Sequence, residues 1–276
     1  MEILAEIGDE EIAKVYIGKT SKGNIVEFVE STPTYNPYEK WVLIVSTLNG
    51  CPVGCMMCDA GTFYHGRLSY EEIMGQINHA IHKKFPDGNV ESKKFKIQFA
   101  RMGEPTFNPA VLDVIVDLGK RYENFFPSLS TVAPIGVDSF FNKLIEIKKR
   151  MYPDRFQLQF SIHTTNETMR DKLIPIKKWS FKKIAEYGSK FYDDGGLKIT
   201  LNFALAKENE VSAKVISRYF PEDRFLIKIT PINPTGIGDT RENEIGSNCG
   251  MYVLRYVKEK EPLNNSYTMV PETLHI

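Results

Sequence analysis

Three cysteines fall at Cys51, Cys55 and Cys58, in the run Cys51-Pro-Val-Gly-Cys-Met-Met-Cys58. This spacing constrains the chain more than any other feature, because it puts three soft ligands on one short loop. Iron–sulfur clusters are held by cysteine thiolates. Three thiolates suit a [4Fe-4S] cluster whose remaining iron is open, and an open metal position is a place for chemistry. A structural zinc ion asks for four nitrogen or sulfur ligands, usually in two pairs. His65 offers a fourth donor, but no second Cys or His pair stands nearby. Cys51, Cys55 and Cys58 are therefore read as cluster ligands.

The pattern around this loop is that of an α/β protein. Short β-favouring runs at 13–17 and 24–29, with Ser21-Lys-Gly23 between them, predict a hairpin. Strands are then expected over 41–46, 95–100, 129–133, 156–163, 197–205 and 224–230. Helical patterns lie between them, over 69–84, 109–122, 138–150, 182–192 and 210–219. The first opens on Ser69 with Glu72 three residues on, a capping box. Strands separated by helices argue for βα units and a parallel sheet. Six such strands fall two short of a closed eight-stranded barrel, which predicts a partial (β/α) barrel. The expected organisation is a β cap over 1–40, the barrel over 41–258 and a polar tail over 259–276. In parallel barrels, active-site groups sit on the loops after the strands, and the cysteine loop follows the strand at 41–46.

Composition sets wider limits. A chain of 276 residues with 42% hydrophobic and 25% charged residues suits a globular protein with a full core. No apolar run approaches a membrane span, and the acidic start has no signal-peptide pattern. Four cysteines, three of them clustered, form no disulfide framework and suit a reducing cytosol, so a cytoplasmic location is expected. The formal net charge of zero lacks the basic excess of many nucleic-acid enzymes.

Further candidates stand just after expected strands. Arg101-Met-Gly-Glu-Pro105 offers a glycine for close backbone approach and Glu104 as an acceptor for an ammonium group. Ser130 and Thr131 could bond a carboxylate or a ribose, or cap a helix. Ser161-Ile-His163 ends the next strand, and Asn209 follows the one after, with an N-cap as its plainer role. A fourth cysteine, Cys249, lies in Gly246-Ser-Asn-Cys-Gly250.

The cysteine spacing resembles that of the radical S-adenosylmethionine (SAM) enzymes. There the open iron binds SAM, and one electron cleaves it to methionine and a deoxyadenosyl radical. The cofactor carries the chemistry; the protein binds and orients it. The resemblance implies a partial six-stranded barrel and an electron donor such as flavodoxin or ferredoxin. The stretches Met57-Cys-Asp-Ala-Gly61, Ser69-Tyr-Glu-Glu-Ile-Met-Gly-Gln76, Met102-Gly-Glu-Pro105, Leu129-Ser-Thr131, Ser161-Ile-His163 and Arg170-Asp-Lys-Leu-Ile-Pro175 narrow it further. In that order they resemble the adenosine-methylating radical SAM methyl synthases of the RlmN and Cfr type, over about Val26 to Gly250. This resemblance implies that Gly103, Glu104, Ser130, Ser161, His163 and Asn209 hold SAM. It also implies that Cys249 carries a methyl group, from which a methylene radical adds to an sp2 carbon of the substrate.

Two departures shape the expectation. The family's resolving cysteine, seven residues before the cluster, is here Ile44. Glu27 matches the family's strand glutamate, a base toward the substrate, only with a short insertion. The chain also starts almost directly with the β cap, without the family's RNA-recruiting helical domain. Together with the balanced charge, this favours a small-molecule substrate over RNA. The rival expectations are an RNA adenosine methylase recruited in trans and a non-catalytic iron–sulfur or SAM-binding regulator, which reductive cleavage of SAM separates.

Overall fold

The structure is a computed structural model and describes residues 1–9, 13–205, 209–231 and 249–253. The expected tail over 259–276 and residues 246–248, just before Cys249, lie outside the described residues.

The chain opens with an antiparallel meander of β1 (Glu2–Asp9), β2 (Ala13–Lys19) and β3 (Ile25–Ser31). β3 continues it onto β4 (Trp41–Val45), with Val29 opposite Ile44 and Ser31 opposite Val42. A small hairpin of β5 (Leu48–Gly50) and β6 (Tyr64–Arg67) follows. Then come α1 (Tyr70–Lys84), β7 (Phe95–Phe99), α2 (Ala110–Arg121), β8 (Phe125–Thr131), α3 (Asp138–Met151) and β9 (Gln157–Ser161). α4 (Glu167–Leu173), α5 (Phe181–Phe191), β10 (Ile199–Leu205), α6 (Ala213–Tyr219) and β11 (Phe225–Pro231) complete the described elements.

One nine-stranded sheet runs in the order β1-β2-β3-β4-β7-β8-β9-β10-β11. The six strands from β4 to β11 pair in parallel. They are the six expected from the alternating pattern, and the sheet stays open, with β1 and β11 at its edges. The cap is no separate layer, since β3 hydrogen-bonds directly to β4.

Three differences from expectation have local causes. β1 was not anticipated, because Glu2, Glu6 and Asp9 give it the polar face of an edge strand. β8 starts at Phe125 rather than Leu129; Pro127, which demotes a strand pattern, sits in the ladder opposite Ile97. α4 is only seven residues long, too short for a helical period to show.

The helices pack as their patterns dictate. α2 buries Val111, Leu112, Val114, Ile115 and Leu118, one face of a helix. Trp41 stacks on Phe95 with ring centroids 5.1 Å apart, at the base of the first two parallel strands. The capping box of α1 is present, and the Glu72 carboxylate also accepts from Thr20 Oγ1 at 2.6 Å and Asn24 Nδ2 at 2.7 Å. One acid thus caps the first barrel helix and ties the β2–β3 turn to it. Gln76, fully buried on the same helix, clamps the end of β4. Its Oε1 accepts from the Ser46 amide at 2.9 Å and its Nε2 donates to the Ser46 carbonyl at 3.0 Å.

Candidate functional site

The cysteine loop is fixed at its roots. β5 and β6 close it as a hairpin, and the Cys51 amide donates to the Phe63 carbonyl at 2.9 Å. The amides of Thr47 and Leu48 donate to the Met102 carbonyl at 2.8 and 3.2 Å. These bonds hold the loop beside the turn after β7. Gly103 makes that approach possible: its φ is +96° and any Cβ would run into Leu48.

A cavity of about 220 Å³ opens at this end of the sheet. Cys51, Cys55 and Cys58 line one wall, and Gly103, Glu104, Ser130, Ser161 and His163 line others. Cys249 and Arg101 complete the rim. The fold therefore gathers residues from the ends of three successive strands, β7, β8 and β9, and the cysteine loop around one space. Asn209 is not brought there; its Nδ2 donates to the Ala204 carbonyl at 3.0 Å, closing back on the end of β10. His65 is exposed on β6 and does not line the cavity.

Glu104 is almost fully buried and well supplied with donors. Its Oε1 accepts from Thr131 Oγ1 at 2.6 Å, Thr106 Oγ1 at 2.7 Å and the Thr106 amide at 3.2 Å. Its Oε2 accepts from the Val132 amide at 2.9 Å. Burial pushes the Glu104 carboxyl above its usual range, and these bonds work against that rise. A carboxylate offers about four lone-pair sites, so Oε2 retains capacity for an ammonium donor.

His163 takes a left-handed backbone, with φ of 65°. Its Nδ1 accepts from the Ala204 amide at 3.1 Å. Burial drives its pKa down to about 4. The ring is thus neutral near pH 7, with its proton on Nε2, a donor fixed by the backbone bond on its other side.

The cysteines carry the other wall. Burial pushes the Cys51 thiol up to about 11 and the Cys55 thiol up to about 12. Cys58 is raised further, first by donating a hydrogen bond to Cys249 and then by burial. Cys249 is lowered by receiving that bond, and Arg101 beside it adds to the effect. Among the described residues, no three Cys, His, Asp or Glu side chains stand close enough to grip a single ion. A four-iron cluster gives each cysteine its own iron, so its thiolates are spread more widely than the ligands of one ion. Three half-buried thiols on one pinned loop, facing a shared cavity, fit that donor set.

Glu27 does not line the cavity. It is fully buried, with Arg101 Nε 3.0 Å from its Oε1, and it accepts from the Gly250 amide. Burial raises its carboxyl; Arg101 and the amides of Gly250, Val253 and Tyr252 pull it back. A group so enclosed is spent on structure, which corrects the expectation of a base facing substrate. Arg101 is the residue that sequence reasoning passed over. It stood inside a quoted motif, but its meaning comes from Glu27, 74 residues before it, and from the Gly250 amide that Glu27 in turn accepts from, which only the fold brings together.

Sequence comparison aligns the chain with proteins of related layout. It is 26% identical over 223 residues to a "Probable dual-specificity RNA methyltransferase RlmN" of Thermotoga petrophila, covering 75% of this chain and 59% of that protein. The chain resembles the RlmN-type radical SAM methyltransferases. A second RlmN-type relative, the "Ribosomal RNA large subunit methyltransferase N" of Nitrosopumilus maritimus, is 26% identical over 260 residues, covering 88% of this chain and 70% of that protein. The chain spans about three fifths of the length of the first Thermotoga relative. A solved radical SAM methyltransferase from Sphaerobacter thermophilus shares the fold at a TM-score of 0.65 and 19% identity, over 86% of this chain and 68% of that one. No protein-family model matches the chain. Among the described residues, no helix is long and apolar enough to cross a membrane.

Proposed function

We propose that this chain is a radical SAM methylase in which Cys51, Cys55 and Cys58 hold a [4Fe-4S] cluster and Cys249 carries the methyl group. The observation that carries the reading is the single cavity lined by all four cysteines and by Gly103, Glu104, Ser130, Ser161 and His163. Bound there, the cluster and SAM would supply a carbon radical able to abstract hydrogen. The chain's own part is to bind and orient. Glu104 accepts from the amino group of SAM, and Gly103 lets the backbone come close. The hydroxyls of Ser130 and Ser161 and the Nε2–H of His163 serve its polar groups. Cys249 presents its sulfur at the rim beside Cys58, as a covalent carrier. Asn209 stands off the cavity wall and is left out of this set.

The relatives are named as RNA methyltransferases, so an RNA base is the first substrate to test. The balanced charge is the observation behind a small substrate, and the comparisons lend it no support. Filter binding of transfer and ribosomal RNA decides between them. Tight binding that weakens steeply with salt marks phosphate contacts and an RNA substrate. Absence of binding at physiological salt favours the small one. The reading as a whole is tested by anaerobic reconstitution, reduction and addition of SAM. It requires SAM cleavage and a methylated Cys249 peptide, and a protein that binds SAM without cleaving it is a regulator instead.

A further inference from the structure

Four described residues, Glu27, Ser46, Arg101 and Gly250, meet in the buried space behind the cavity. Glu27 comes from the middle of β3, and its side chain is 0% exposed. Arg101, from the turn after β7, is 5% exposed in its side chain and pairs with Glu27 at 3.0 Å. The Ser46 hydroxyl donates to the Glu27 carbonyl and accepts from the Met102 amide, so β3, the end of β4 and the 101–102 turn are bolted together. The Glu27 carboxylate then reaches across 223 positions of sequence to accept from the Gly250 amide, and the amides of Tyr252 and Val253 also stabilise its charge. These are the first amides of the helical turn that follows Cys249, groups with no carbonyl partner inside the turn, and a carboxylate there is the natural acceptor for them.

The same turn is held on its other side. The Cys249 carbonyl accepts from the Ala60 amide at 2.8 Å, two residues past Cys58. Gly250, with φ of +85°, packs so closely on Ala60 that a Cβ would lie 2.6 Å from its nitrogen. The Cys249 sulfur is 3.7 Å from the Ala100 carbonyl, next to Arg101. A buried carboxylate that caps this turn would be uncompensated without a cation, and Arg101 supplies it. A buried pair of this kind says little about net stability, but removing one partner leaves a lone charge and is costly.

We propose that Glu27 and Arg101 form a buried latch that seats the Cys249 turn against the cysteine loop, and that both are positioning residues for methyl transfer. The functional half rests on the reading of Cys249 as methyl carrier; the structural half does not. Arg101 holds the carboxylate, the carboxylate holds the amides of the turn, and the turn holds the sulfur at the cavity rim.

The test uses the full chain with its cluster reconstituted, and the variants Glu27→Gln, Arg101→Met, Arg101→Lys and the double variant Glu27→Gln/Arg101→Met. Amide hydrogen exchange is followed at Gly250, Tyr252 and Val253, with β4 and β7 as internal controls. Alongside it, product formed per SAM cleaved is measured. Each of Glu27→Gln and Arg101→Met should raise exchange at the turn by tenfold or more while the controls stay put, and should lower the product ratio. Arg101→Lys should keep most of the protection, because it keeps the charge. The double variant should recover part of it, because neither charge is left alone. Unchanged exchange at the turn, or a rise shared equally by β4 and β7, overturns the latch. Full product formation by Cys249→Ala would instead overturn the carrier reading, with the exchange result left standing.

Discussion

Replacing Gly103 by alanine puts the contact between the two halves of the cavity under load. Its φ of +96° is unfavourable for any residue with a side chain. A Cβ there would lie 2.4 Å from both Cβ and Cγ of Leu48 and 2.8 Å from the Leu48 amide nitrogen. Backbone strain of this kind costs about 1–3 kcal/mol. Forced overpacking costs about another 1–3 kcal/mol. The loop can relax only by drawing the Thr47 and Leu48 amides away from the Met102 carbonyl, now at 2.8 and 3.2 Å. The sum, roughly 2–6 kcal/mol, is a large part of the stability of an ordinary domain. At about 2–4 °C per kcal/mol, it predicts a drop in Tm on the order of 10 °C. Urea unfolding gives the free energy, and equilibrium dialysis gives the SAM affinity, which should fall with it. Combining Gly103→Ala with Leu48→Gly removes the side-chain clash but neither the 2.8 Å contact with the backbone nitrogen nor the strain. The double-mutant cycle should therefore return about 1–3 kcal/mol of coupling. A Gly103→Ala protein within about 0.5 kcal/mol of the parent, the range of a neutral surface change, would refute the reasoning.

Anaerobic reconstitution should load about four irons per chain, and alanine at Cys51, Cys55 or Cys58 should abolish this; a protein that takes up zinc and no iron would defeat the cluster assignment. The peptide containing Cys249 should carry one extra methylene mass, dependent on the cluster, and Cys249→Ala should yield no methylated product; an unmodified peptide would make this cysteine mere packing. His163 is neutral in the fold down to about pH 4, whereas its unfolded ring protonates near 6.5. Its folded pKa is depressed, so the unfolded state binds the extra proton: stability is full above about pH 6.5 and falls toward pH 4, by about 3 kcal/mol from this group. His163→Asn, which tolerates the left-handed backbone and can still accept from Ala204, should flatten that slope in urea unfolding between pH 4 and 7; an unchanged slope assigns it elsewhere.

Much of the fold was legible because its signals are local. The capping box at Ser69 and Glu72 placed the start of α1, and the alternation of Phe95 to Phe99 placed β7. The cysteine loop was legible because a cluster needs several ligands from one short segment. Gly103, Glu104, Ser130, Ser161 and His163 share a simpler logic: each ends or follows a parallel strand, so topology alone brings them to one mouth. What escaped depends on tertiary contact. β1 shows no apolar period because only Ile7 of its eight residues is buried. Glu27 could be placed on its strand, but whether it faced a substrate or a helix turn depended on where Gly250 comes to rest. Asn209 had the right strand and the wrong outlet, since its amide satisfies Ala204 instead of the cavity.

The geometry also bears on the isoleucine at position 44. Ile44 is opposite Val29 in the β3–β4 ladder, and it packs into the same apolar group as Cys51, Cys58 and Cys249. Position 44 therefore shares one apolar group with Cys249 and with two of the clustered cysteines. The thiol that does meet Cys249 is Cys58, which donates a hydrogen bond to it. With a cluster bound, Cys58 is committed to iron, and Cys249 faces any covalent adduct without a partner thiol at either position. Release of such an adduct then falls to an external thiol or a base. Ile44→Cys would restore an internal partner if its Cα comes within about 7 Å of that of Cys249. In a wild type that stalls as a protein–substrate thioether, this single change should release the bound product once, the S–C bond breaking with its electron pair on the product as an S–S bond forms on the protein, with further cycles requiring an added reductant. A wild type that releases product freely without added thiol would show that position 44 has no part in the reaction.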